Sequence, residues 1–306
     1  MNSIADERSF LGWMRETGNT FVGEEYQKRF GIWLSNRRLV HEHNAANGAT
    51  FNLAVNNLAH LTPAEYKTLL GFSPRISKHP KSLSNKGFRN VNSVDWRDKG
   101  VVNPIRDQGQ CGSCWAFSTV QGQESSYAIK HGKLQILSPQ NLVDCVTDCY
   151  GCNGGLMEPA YQYVINNQGG KWMLEEDYPY KGFQSTCKFD SNKAVQSTTG
   201  VVWVNEDDEK DLADKVANYG PAAIAIDASH YSFQLYASGI YDEPSCSSSG
   251  LDHAVGCVGF GSENGINYWI VRNSWGESWG EKGYIRMVKD KNNQCGEASY
   301  ALFPTC

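Results

Sequence analysis

Apolar residues recur at helical spacing in the first part of the chain. Within EEYQKRFGIWLSNRRLVHEHN (residues 24–44), Tyr26, Phe30, Trp33 and Val40 fall on one face of a helix with 3.6 residues per turn. The residues between them are mostly polar and would face solvent. This pattern predicts an amphipathic helix that buries an aromatic face.

The next stretch predicts a second helix followed by a linker. In LTPAEYKTLLGF, Thr62 is placed to cap the helix, Pro63 suits its first turn, and Glu65 completes a capping box. Gly71 is placed to end this helix. Residues 73–87, SPRISKHPKSLSNKG, are rich in Ser, Pro and Lys, which is typical of an exposed linker and of a site for proteolytic cleavage.

The remaining sequence changes from helical to β patterns. Helices are predicted to begin at Cys114 and Ser138, and a third is predicted over residues 156–167. From Val201 onward β-rich runs dominate, with one helical interruption at residues 207–218. The β-rich runs are VVWV, AAIAID, AVGCVGF, NYWIVRN and GYIRMV.

Charge and cysteine content divide the chain in two. Residues 1–89 hold 12 Lys and Arg against 7 Asp and Glu, whereas residues 90–306 hold 16 against 26 and all ten cysteines. Opposite net charges favour docking of the two pieces, unless the net charges of the two surfaces have unrelated causes. We expect an α+β fold in which a mainly helical N-terminal segment precedes a helical lobe (about 110–200) and a β-barrel-like lobe (about 201–306), with a cleft between the lobes.

Composition excludes several classes of protein. The basic residues of the N-terminal segment form no cluster with aromatic residues, so nucleic-acid binding is not expected. No apolar run reaches the roughly 18–20 residues of a membrane span. The start, MNSIADERSF, lacks the apolar core of a signal peptide. Either the protein is cytosolic or its signal peptide is not part of this sequence, and the many cysteines argue against the cytosol.

The motif QCGSCWAF contains Cys111 and Cys114. A C-x-x-C pair serves as a redox dithiol, as half of a zinc site, or as one structural and one reactive cysteine. A second pair, Cys149 and Cys152, follows after 34 residues, a gap longer than the usual zinc spacing of about 15–20 residues. No βαβ pattern surrounds the first pair, which disfavours redox chemistry. At the start of a predicted helix, Cys114 instead has the electrostatic setting of a nucleophilic thiolate.

A nucleophilic Cys114 needs a base, a residue that orients the base, and donors for an oxyanion. His253 and Asn273 each lie ten residues from Glu263 in a predicted hairpin. Antiparallel pairing about Glu263 would place them on adjacent strands, although a bulge would shift this register. Gln108, in the loop before the helix, is placed to form an oxyanion hole with the backbone N–H of Cys114.

Four motifs resemble the papain family of cysteine proteases, in its cathepsin L-like branch. They are QGQCGSCWAFS, GCNGGLM, LDHAV and NSWG, in family order, and the resemblance covers nearly the whole chain. It implies a papain-like two-lobe fold and a zymogen, with an inhibitory pro-region at residues 1–89 and a peptidase domain at residues 90–306.

The N-terminal segment resembles the family's pro-region in two motifs. The E-R-F-N-I-N pattern is represented by Glu25, Arg29, Trp33, Asn36, Val40 and Asn44. The G-x-N-x-F-x-D pattern is represented by Ala54, Asn56, Leu58 and His60. The second motif departs further from the family, and the replacement of Asp by His60 is its largest change.

The resemblance implies a role for each residue of the site. Cys114 would be the nucleophile, His253 its proton-exchanging partner, and Asn273 the residue that orients His253. Gln108 would polarise the scissile carbonyl, and Trp275 would shield the His–Asn hydrogen bond unless it is simply a core residue. The family has no cofactor and no metal site.

The resemblance also sorts the cysteines. The implied disulfides are Cys111–Cys152, Cys145–Cys187 and Cys246–Cys295. Cys257 is expected to be a buried apolar residue. Cys149 and Cys306 stay unassigned, and a bond between them is not favoured.

Substrate choice in the family depends on the pocket for the second residue before the scissile bond (P2). The matching positions are Leu156, Met157, Ala225, Leu251, Ala254 and Tyr300. These apolar walls favour an apolar or aromatic P2 residue, and Tyr300 would make the pocket shallow. Gly154 and Gly155 would bind an extended substrate through their backbone. No inserted loop of an exopeptidase is visible, so endopeptidase activity is expected.

The resemblance further implies autoinhibition by a pro-region that crosses the cleft in the reverse chain direction. Gly71 would lie near the catalytic residues and Phe72 in the apolar pocket, unless Phe72 only ends the helix packing. Acid would loosen this docking, as carboxylates lose charge and histidines gain it. The pro-region histidines are His41, His43, His60 and His79, of which His60 is expected to shift the activation pH.

Partners and location follow from the same resemblance. We expect protein or peptide substrates, the pro-region as an intramolecular inhibitor, cystatin-type inhibitors as candidate partners, and a monomer. The expected location is a lysosome-like acidic compartment or the cell exterior. The alternative is a catalytically silent, peptide-binding relative or an inhibitor precursor, against which the intact Cys114, His253, Asn273 and Gln108 argue.

Overall fold

The computed structural model describes residues 4–46, 48–73 and 91–306. The predicted linker beyond Ser73, His79 and the expected domain boundary near Asn90 lie outside the described residues. Within the described part, no helix combines the length and the apolar character that a membrane span requires.

The described residues of the N-terminal segment form three helices and one short strand. They are α1 (Ile4–Thr17), α2 (Gly23–Ala45), β1 (Phe51–Leu53) and α3 (Pro63–Lys67). The helix predicted from apolar spacing is confirmed as α2, which buries Phe30, Trp33 and Val40. The predicted elements do not include α1, whose Phe10 packs its ring 5.2 Å from that of Phe30 and 5.4 Å from that of Trp33. Aromatic packing therefore fixes α1 on α2.

The start of α3 is capped as the sequence predicts. Thr62 Oγ1 accepts the Glu65 N–H at 3.2 Å, and Glu65 Oε2 accepts the Thr62 N–H at 2.9 Å. Arg29 of α2 donates to both carboxylate oxygens of Glu65, at 2.6 and 2.8 Å, and this hydrogen bonding holds the pKa of Glu65 down to about 2. The end of α3 differs from the prediction: the helix ends at Lys67, because the chain leaves it to enter the cleft before it reaches Gly71.

Two asparagines of α2 hold the chain that follows the helix. Asn44 exchanges two hydrogen bonds with the backbone of Leu53, at 2.8 and 2.9 Å. Asn36 donates its side-chain N–H to the Ala59 carbonyl at 2.8 Å. The amides thus satisfy backbone groups in a segment with little regular secondary structure, which gives the E-R-F-N-I-N pattern a physical reason at these positions.

The C-terminal segment contains the remaining helices and strands. The helices are α4 (Cys114–His131), α5 (Pro139–Cys145), α6 (Met157–Asn167), α7 (Glu209–Tyr219) and α8 (Tyr231–Gln234), with short 3₁₀ turns at Trp96–Lys99 and Gly151–Asn153. The strands are β2 (Val94–Asp95), β3 (Gly200–Trp203), β4 (Ala222–Ile226), β5 (Tyr236–Tyr241), β6 (His253–Glu263), β7 (Ile266–Arg272), β8 (Tyr284–Val288) and β9 (Ala301–Thr305). The expected α+β fold is confirmed, although the β patterns do not predict β1, β2, β5 or β9.

The strands form one mixed sheet in the order β1-β5-β8-β7-β6-β4-β9-β3, with β2 paired to β6. Strand β1 of the N-terminal segment adds to the sheet edge beside β5, with Phe51 opposite Gly239. Thr50 strengthens this edge, since its carbonyl accepts the Ile240 N–H at 2.9 Å. The N-terminal segment therefore docks as an extra strand, the geometry of β-augmentation.

The β6–β7 hairpin differs in register from the prediction. Its turn is Asn264–Gly265, both with positive φ, so Glu263 pairs with Ile266 rather than lying at the centre. An Asn-Gly pair with positive φ at both positions is the favoured two-residue hairpin turn. A register shift between Cys257 and Gly259 adds a bulge. His253 is consequently not opposite Asn273 in the ladder, and Asn273 instead follows the end of β7.

Two apolar clusters form the interior. The first joins the aromatic residues of the N-terminal segment to the β-rich lobe, and the second fills the helical lobe and the cleft. Ring contacts cross the docking interface, such as Phe51 with Tyr241 at 4.9 Å and Tyr66 with Trp275 at 5.7 Å. Among the described residues, each ion pair lies within one segment. The docking contacts between the described residues are therefore strand pairing and apolar packing.

Candidate active site

The N-terminus of α4 places Cys114 in the cleft. The side chain is fully buried, and its Sγ accepts the backbone N–H of Gly71 at 3.2 Å and that of Ala254 at 3.4 Å. A disulfide between Cys111 and Cys152 ties the loop before the helix to the helical lobe. The sulfur thus lies at the positive end of the α4 dipole, which favours a thiolate.

His253 begins β6 beside Cys114 and is held by Asn273. Its Nε2 lies 2.8 Å from Asn273 Oδ1, and both side chains are buried. Trp275 stacks on the imidazole with ring centroids 4.7 Å apart, so it shields this hydrogen bond from water. The second ring nitrogen, Nδ1, is buried and has no hydrogen-bond partner among the described residues. The imidazole is therefore oriented, but it is not hydrogen-bonded to the thiol in this state.

Gln108 is fixed by hydrogen bonds at its side chain. Its Nε2 donates to the carbonyls of Leu69 and Cys111, both at 2.9 Å. Its Oε1 accepts the hydroxyl of Ser274 at 2.8 Å, and Ser274 also donates its N–H to Asn273 Oδ1 at 2.8 Å. Ser274 therefore connects the amide of Gln108 to the residue that orients His253. The carbonyl of Leu69, which belongs to the N-terminal segment, thus accepts one of the two side-chain N–H groups of Gln108.

The N-terminal segment crosses the cleft as an extended strand at residues 69–73. Phe72 pairs in parallel with Gly155. The Gly155 N–H donates to the Gly71 carbonyl at 2.9 Å, and the Ser73 N–H donates to the Gly155 carbonyl at 3.3 Å. The cleft thus binds an extended chain through the backbone of Gly155, and this chain presents the N–H of Gly71 to the sulfur.

The passage is too narrow for a side chain at Gly71. A Cβ there would lie 1.9 Å from the Gly112 carbonyl oxygen, far inside van der Waals contact. Gly112 and Gly154 are similarly restricted, because a Cβ would lie 2.6 Å from the Cys152 carbonyl oxygen at Gly112 and 2.7 Å from Ser73 Oγ at Gly154. Glycine is required here by close approach of two backbones.

Phe72 fills the apolar pocket beside Cys114. Its ring meets that of Tyr300 edge to face at 5.1 Å, and Phe72 is 4% exposed. One apolar cluster contains Phe72 together with the expected pocket residues Leu156, Met157, Ala225, Leu251, Ala254 and Tyr300. Trp275 belongs to the other cluster and packs on His253, so the structure separates it from this pocket.

Burial shifts the pKa values of Cys114 and His253 in the covered cleft. It raises the pKa of the Cys114 thiol to about 12, against which the N–H donors of Ala254 and Gly71 act. It lowers the pKa of His253 to about 4, against which the Asn273 hydrogen bond acts. Both shifts favour the uncharged forms. The covered site therefore holds a neutral thiol and a neutral imidazole between these two values.

Comparisons with known proteins agree with this geometry. The profile of the papain family cysteine proteases matches residues 91–305, and that of the cathepsin propeptide inhibitor domain (I29) matches residues 10–66. The chain belongs to the papain family of cysteine proteases. It is a cathepsin L-like zymogen, because the inhibitor domain of a cathepsin propeptide precedes its protease domain.

Similar proteins cover almost the whole length of this protease. It is 44% identical to digestive cysteine proteinase 1 of Homarus americanus, over 92% of this chain and 89% of that protein. It is 42% identical to procathepsin L of Rattus norvegicus, over 95% of this chain and 90% of that protein. The solved structure of digestive procathepsin L 3 from Tenebrio molitor larval midgut superimposes with a TM-score of 0.91 at 34% identity, and each chain is fully covered.

The cysteines of the protease occupy four kinds of position. The disulfides are Cys111–Cys152, Cys145–Cys187 and Cys246–Cys295. Cys114 lies in the cleft, Cys149 and Cys257 are buried without a disulfide, and Cys306 is partly buried. Among the described residues, Asp227, His230 and Cys246 lie close enough to suggest a metal site, but the sulfur of Cys246 is in a disulfide and is not available as a thiolate ligand.

Two residues of the site are not identified by the sequence arguments. Ser274 lies within the NSWG motif, but only the structure shows that its hydroxyl contacts Gln108. Tyr180 contacts both the backbone of Gln108 and Ser113, and it lies in a DYPYKG stretch with no recognisable catalytic spacing. Contacts made by loops distant in sequence leave no periodic signal.

Gly71→Ala is expected to open the cleft. Because the added Cβ would collide with the Gly112 carbonyl, the strand must shift, at a cost of about 1–3 kcal/mol, which corresponds to about 5-fold to 150-fold in the docking equilibrium. We expect the rate at which a thiol-directed epoxide labels Cys114 in the intact zymogen to rise by about tenfold.

Gly31→Ala is the matched control. It makes the same change in α2 of the N-terminal segment, where no atom lies within 4 Å of the added Cβ. Its labelling rate is expected to match that of the wild type within about twofold. Equal labelling of the Gly71→Ala and wild-type zymogens would contradict the steric argument.

Proposed function

We propose that the peptidase domain, from about residue 90 to 306, is an endopeptidase whose nucleophile is Cys114. In the open cleft, the thiolate attacks the scissile carbonyl carbon, and Gln108 and the Cys114 N–H stabilise the oxyanion. His253 transfers its proton to the leaving amine, and a water molecule then hydrolyses the thioester with His253 as the base. Asn273 keeps the imidazole oriented throughout.

The observation that carries this proposal is the convergence of these groups on the strand at residues 69–73. That strand gives the carbonyl of Leu69 to Gln108 and the N–H of Gly71 to the Cys114 sulfur. An N–H in place of a carbonyl carbon is not electrophilic, so a chain that binds in this way is held without being cleaved. The same groups that would process a substrate therefore support inhibition by the N-terminal segment, residues 1–89.

Acid incubation of the purified zymogen tests the assignment. We expect the mass of the N-terminal segment to be lost while peptidase activity appears, and a thiol-directed epoxide to block the activity with one adduct per chain. Cys114→Ser is expected to abolish processing and activity together, because a hydroxyl lacks the low pKa of an activated thiol.

Cys306→Ser serves as the control, since it removes another free cysteine outside the cleft. It is expected to leave both processing and activity intact. If the processed wild-type protein were inactive on every peptide, the alternative of a silent peptide-binding relative would stand instead.

The contacts of Phe72 favour an apolar or aromatic P2 residue in substrates. This side chain already occupies the pocket, and Tyr300 closes the pocket edge to face. A charged P2 residue would lose its hydration in such a pocket without gaining a partner of opposite charge among the residues that line it. Tyr300 leaves room for an aromatic ring in the P2 pocket but limits the depth of this pocket.

A peptide series with Phe, Leu, Val or Arg at P2 tests the pocket. Phe or Leu is expected to give the highest kcat/KM, at least about tenfold above Arg. Tyr300→Ala is expected to raise the ratio of kcat/KM for Phe over Val by about fivefold, because removal of the Tyr300 ring deepens the pocket. Tyr268→Ala, on the β6–β7 hairpin, should leave that ratio unchanged. Arg as the best P2 residue would refute the apolar pocket.

His60 provides a physical basis for activation by acid. It is partly buried, with ring centroids 5.5 Å from those of Trp13 and Phe21. Burial lowers the pKa of His60, and the neighbouring positive charge of Arg29 lowers it further. The charged groups that face it are Arg29, Glu25, Glu65 and, across a cavity at the interface, Asp107.

The sign of this effect favours release at low pH. Burial of the neutral imidazole lowers the pKa of a histidine in the docked state. The docked state is then most stable above the ordinary pKa of histidine, about 6.5, where the imidazole is neutral. The stability is lost as the pH falls below about 6.5 toward the lowered pKa of His60. An Asp beside Arg29 would instead keep its stabilising charge until the pH fell toward about 4.

His60→Asp is therefore expected to lower the pH at which half-maximal self-processing occurs. The measurement is the rate of processing from pH 7 to pH 4 at constant ionic strength. His41→Asp, an exposed change on α2, controls for added negative charge and should leave the profile in place. An unshifted pH profile in His60→Asp would show that His60 does not set the pH of activation.

We further propose that the protease acts as a monomer on protein or peptide substrates, in a lysosome-like acidic compartment or outside the cell. Its disulfides suit an oxidising environment. The open cleft is a candidate site for cystatin-type inhibitors. Mass spectrometry of the processed protein would locate the cleavage point relative to residue 90.

A further inference from the structure

The hydroxyl of Tyr180 lies between two parts of the candidate oxyanion hole. It donates to the backbone carbonyl of Gln108 at 2.7 Å and lies 2.6 Å from Ser113 Oγ. Because its single proton goes to the carbonyl, the Ser113 hydroxyl donates to Tyr180. Burial raises the pKa of Tyr180 to about 12, so the hydroxyl stays protonated at any working pH. Ser113 directly precedes Cys114.

The other polar groups of Gln108 are fixed from other directions. Its N–H donates to the Ser274 carbonyl at 2.9 Å, and its Oε1 accepts the Ser274 hydroxyl, so the β-rich lobe holds that side. Cys111, in the same loop, accepts from Nε2. The Cys111 carbonyl also accepts the backbone N–H of Ser113 at 2.8 Å, whereas Tyr180 connects the backbone carbonyl of Gln108 to the side chain of Ser113, the residue before Cys114. The ring of Tyr180 is itself set by an edge-to-face contact with Phe117 of α4 at 4.8 Å.

We propose that Tyr180 is a positioning residue that sets the distance between the two oxyanion donors, the side-chain amide of Gln108 and the backbone N–H of Cys114. This inference rests on the proposed role of Gln108. Departure of the pro-region removes the Leu69 carbonyl from Gln108 and leaves one amide N–H for the substrate oxyanion. The side-chain amide of Gln108 then contacts no bound chain. Its position depends on the hydrogen bonds of Gln108 to Tyr180, Ser274 and Cys111.

Tyr180→Phe removes the hydroxyl and keeps the ring that packs on Phe117. In the processed enzyme, normalised by epoxide titration of Cys114, we expect kcat/KM to fall about tenfold while KM changes less than about twofold. A peptide aldehyde forms a tetrahedral adduct whose oxyanion needs the same donors, so its inhibition constant should rise by a similar factor. Alkylation of Cys114 by iodoacetamide needs only the thiolate, and its rate should stay within about twofold.

Tyr178→Phe is the matched control from the same stretch. Its hydroxyl donates to Asp144 Oδ2 at 2.8 Å and accepts the Lys188 N–H at 3.0 Å, away from the cleft. All three measurements should match those of the wild type for this variant. Ser113→Ala, which leaves the Tyr180–Gln108 bond intact, should show the same selective pattern with a smaller effect.

A double-mutant cycle separates this inference from the function on which it rests. In a Gln108→Ala background, Tyr180→Phe should lower kcat/KM by less than about twofold further, because the group it positions is gone. Wild-type activity in Gln108→Ala would overturn the role of Gln108 and the inference with it. If Gln108→Ala is impaired but Tyr180→Phe is normal, or if Tyr180→Phe slows alkylation as much as it weakens aldehyde binding, the inference about Tyr180 alone is overturned.

Discussion

The main chain at Gly71 passes directly over Cys114, and the covered state of the protease depends on this contact. The backbone N–H of Gly71 reaches the sulfur at 3.2 Å, and the absence of a Cβ lets the strand approach the Gly112 carbonyl. Pairing with Gly155 in parallel then sets which backbone atoms face the Cys114 sulfur. Chain direction and clearance together place a backbone N–H, and not a carbonyl carbon, at this sulfur.

The rest of the pro-region holds this strand in place. Its aromatic core is continuous with that of the β-rich lobe, and β1 extends the sheet beside β5. The ion pair of Arg29 with Glu65 fastens α2 to the start of α3, the helix that delivers the chain to the cleft. Loss of structure in the pro-region would therefore weaken the hold of the strand on Cys114, because the strand's own contacts are a few backbone hydrogen bonds and the apolar pocket around Phe72.

Local signals in the sequence predict local structure well and long-range contacts poorly. The helix α2, the capping box at Thr62 and the start of α4 at Cys114 follow from spacing and cap residues. The strands β5 and β9 lack a clear alternation, and the true hairpin turn at Asn264–Gly265 displaces the expected register. Gly71 has the sequence context of a helix stop, whereas its structural role is set by Gly112, 41 residues later. Spacing within one element carries no information about such an approach, so only the family resemblance placed Gly71 near the cleft.

Covering the cleft also changes the protonation of Cys114 and His253. Burial raises the pKa of Cys114 to about 12 and lowers that of His253 to about 4, so the neutral forms are favoured together. In an ion pair each charge would stabilise the other, but both would then lie beneath the pro-region without water. Removing the strand takes away the Gly71 N–H, a donor that lowers the pKa of Cys114, but it also admits water and so removes the larger effect of burial. The α4 dipole then favours the thiolate. The event that uncovers the cleft thus also removes the burial that disfavours a charged Cys114.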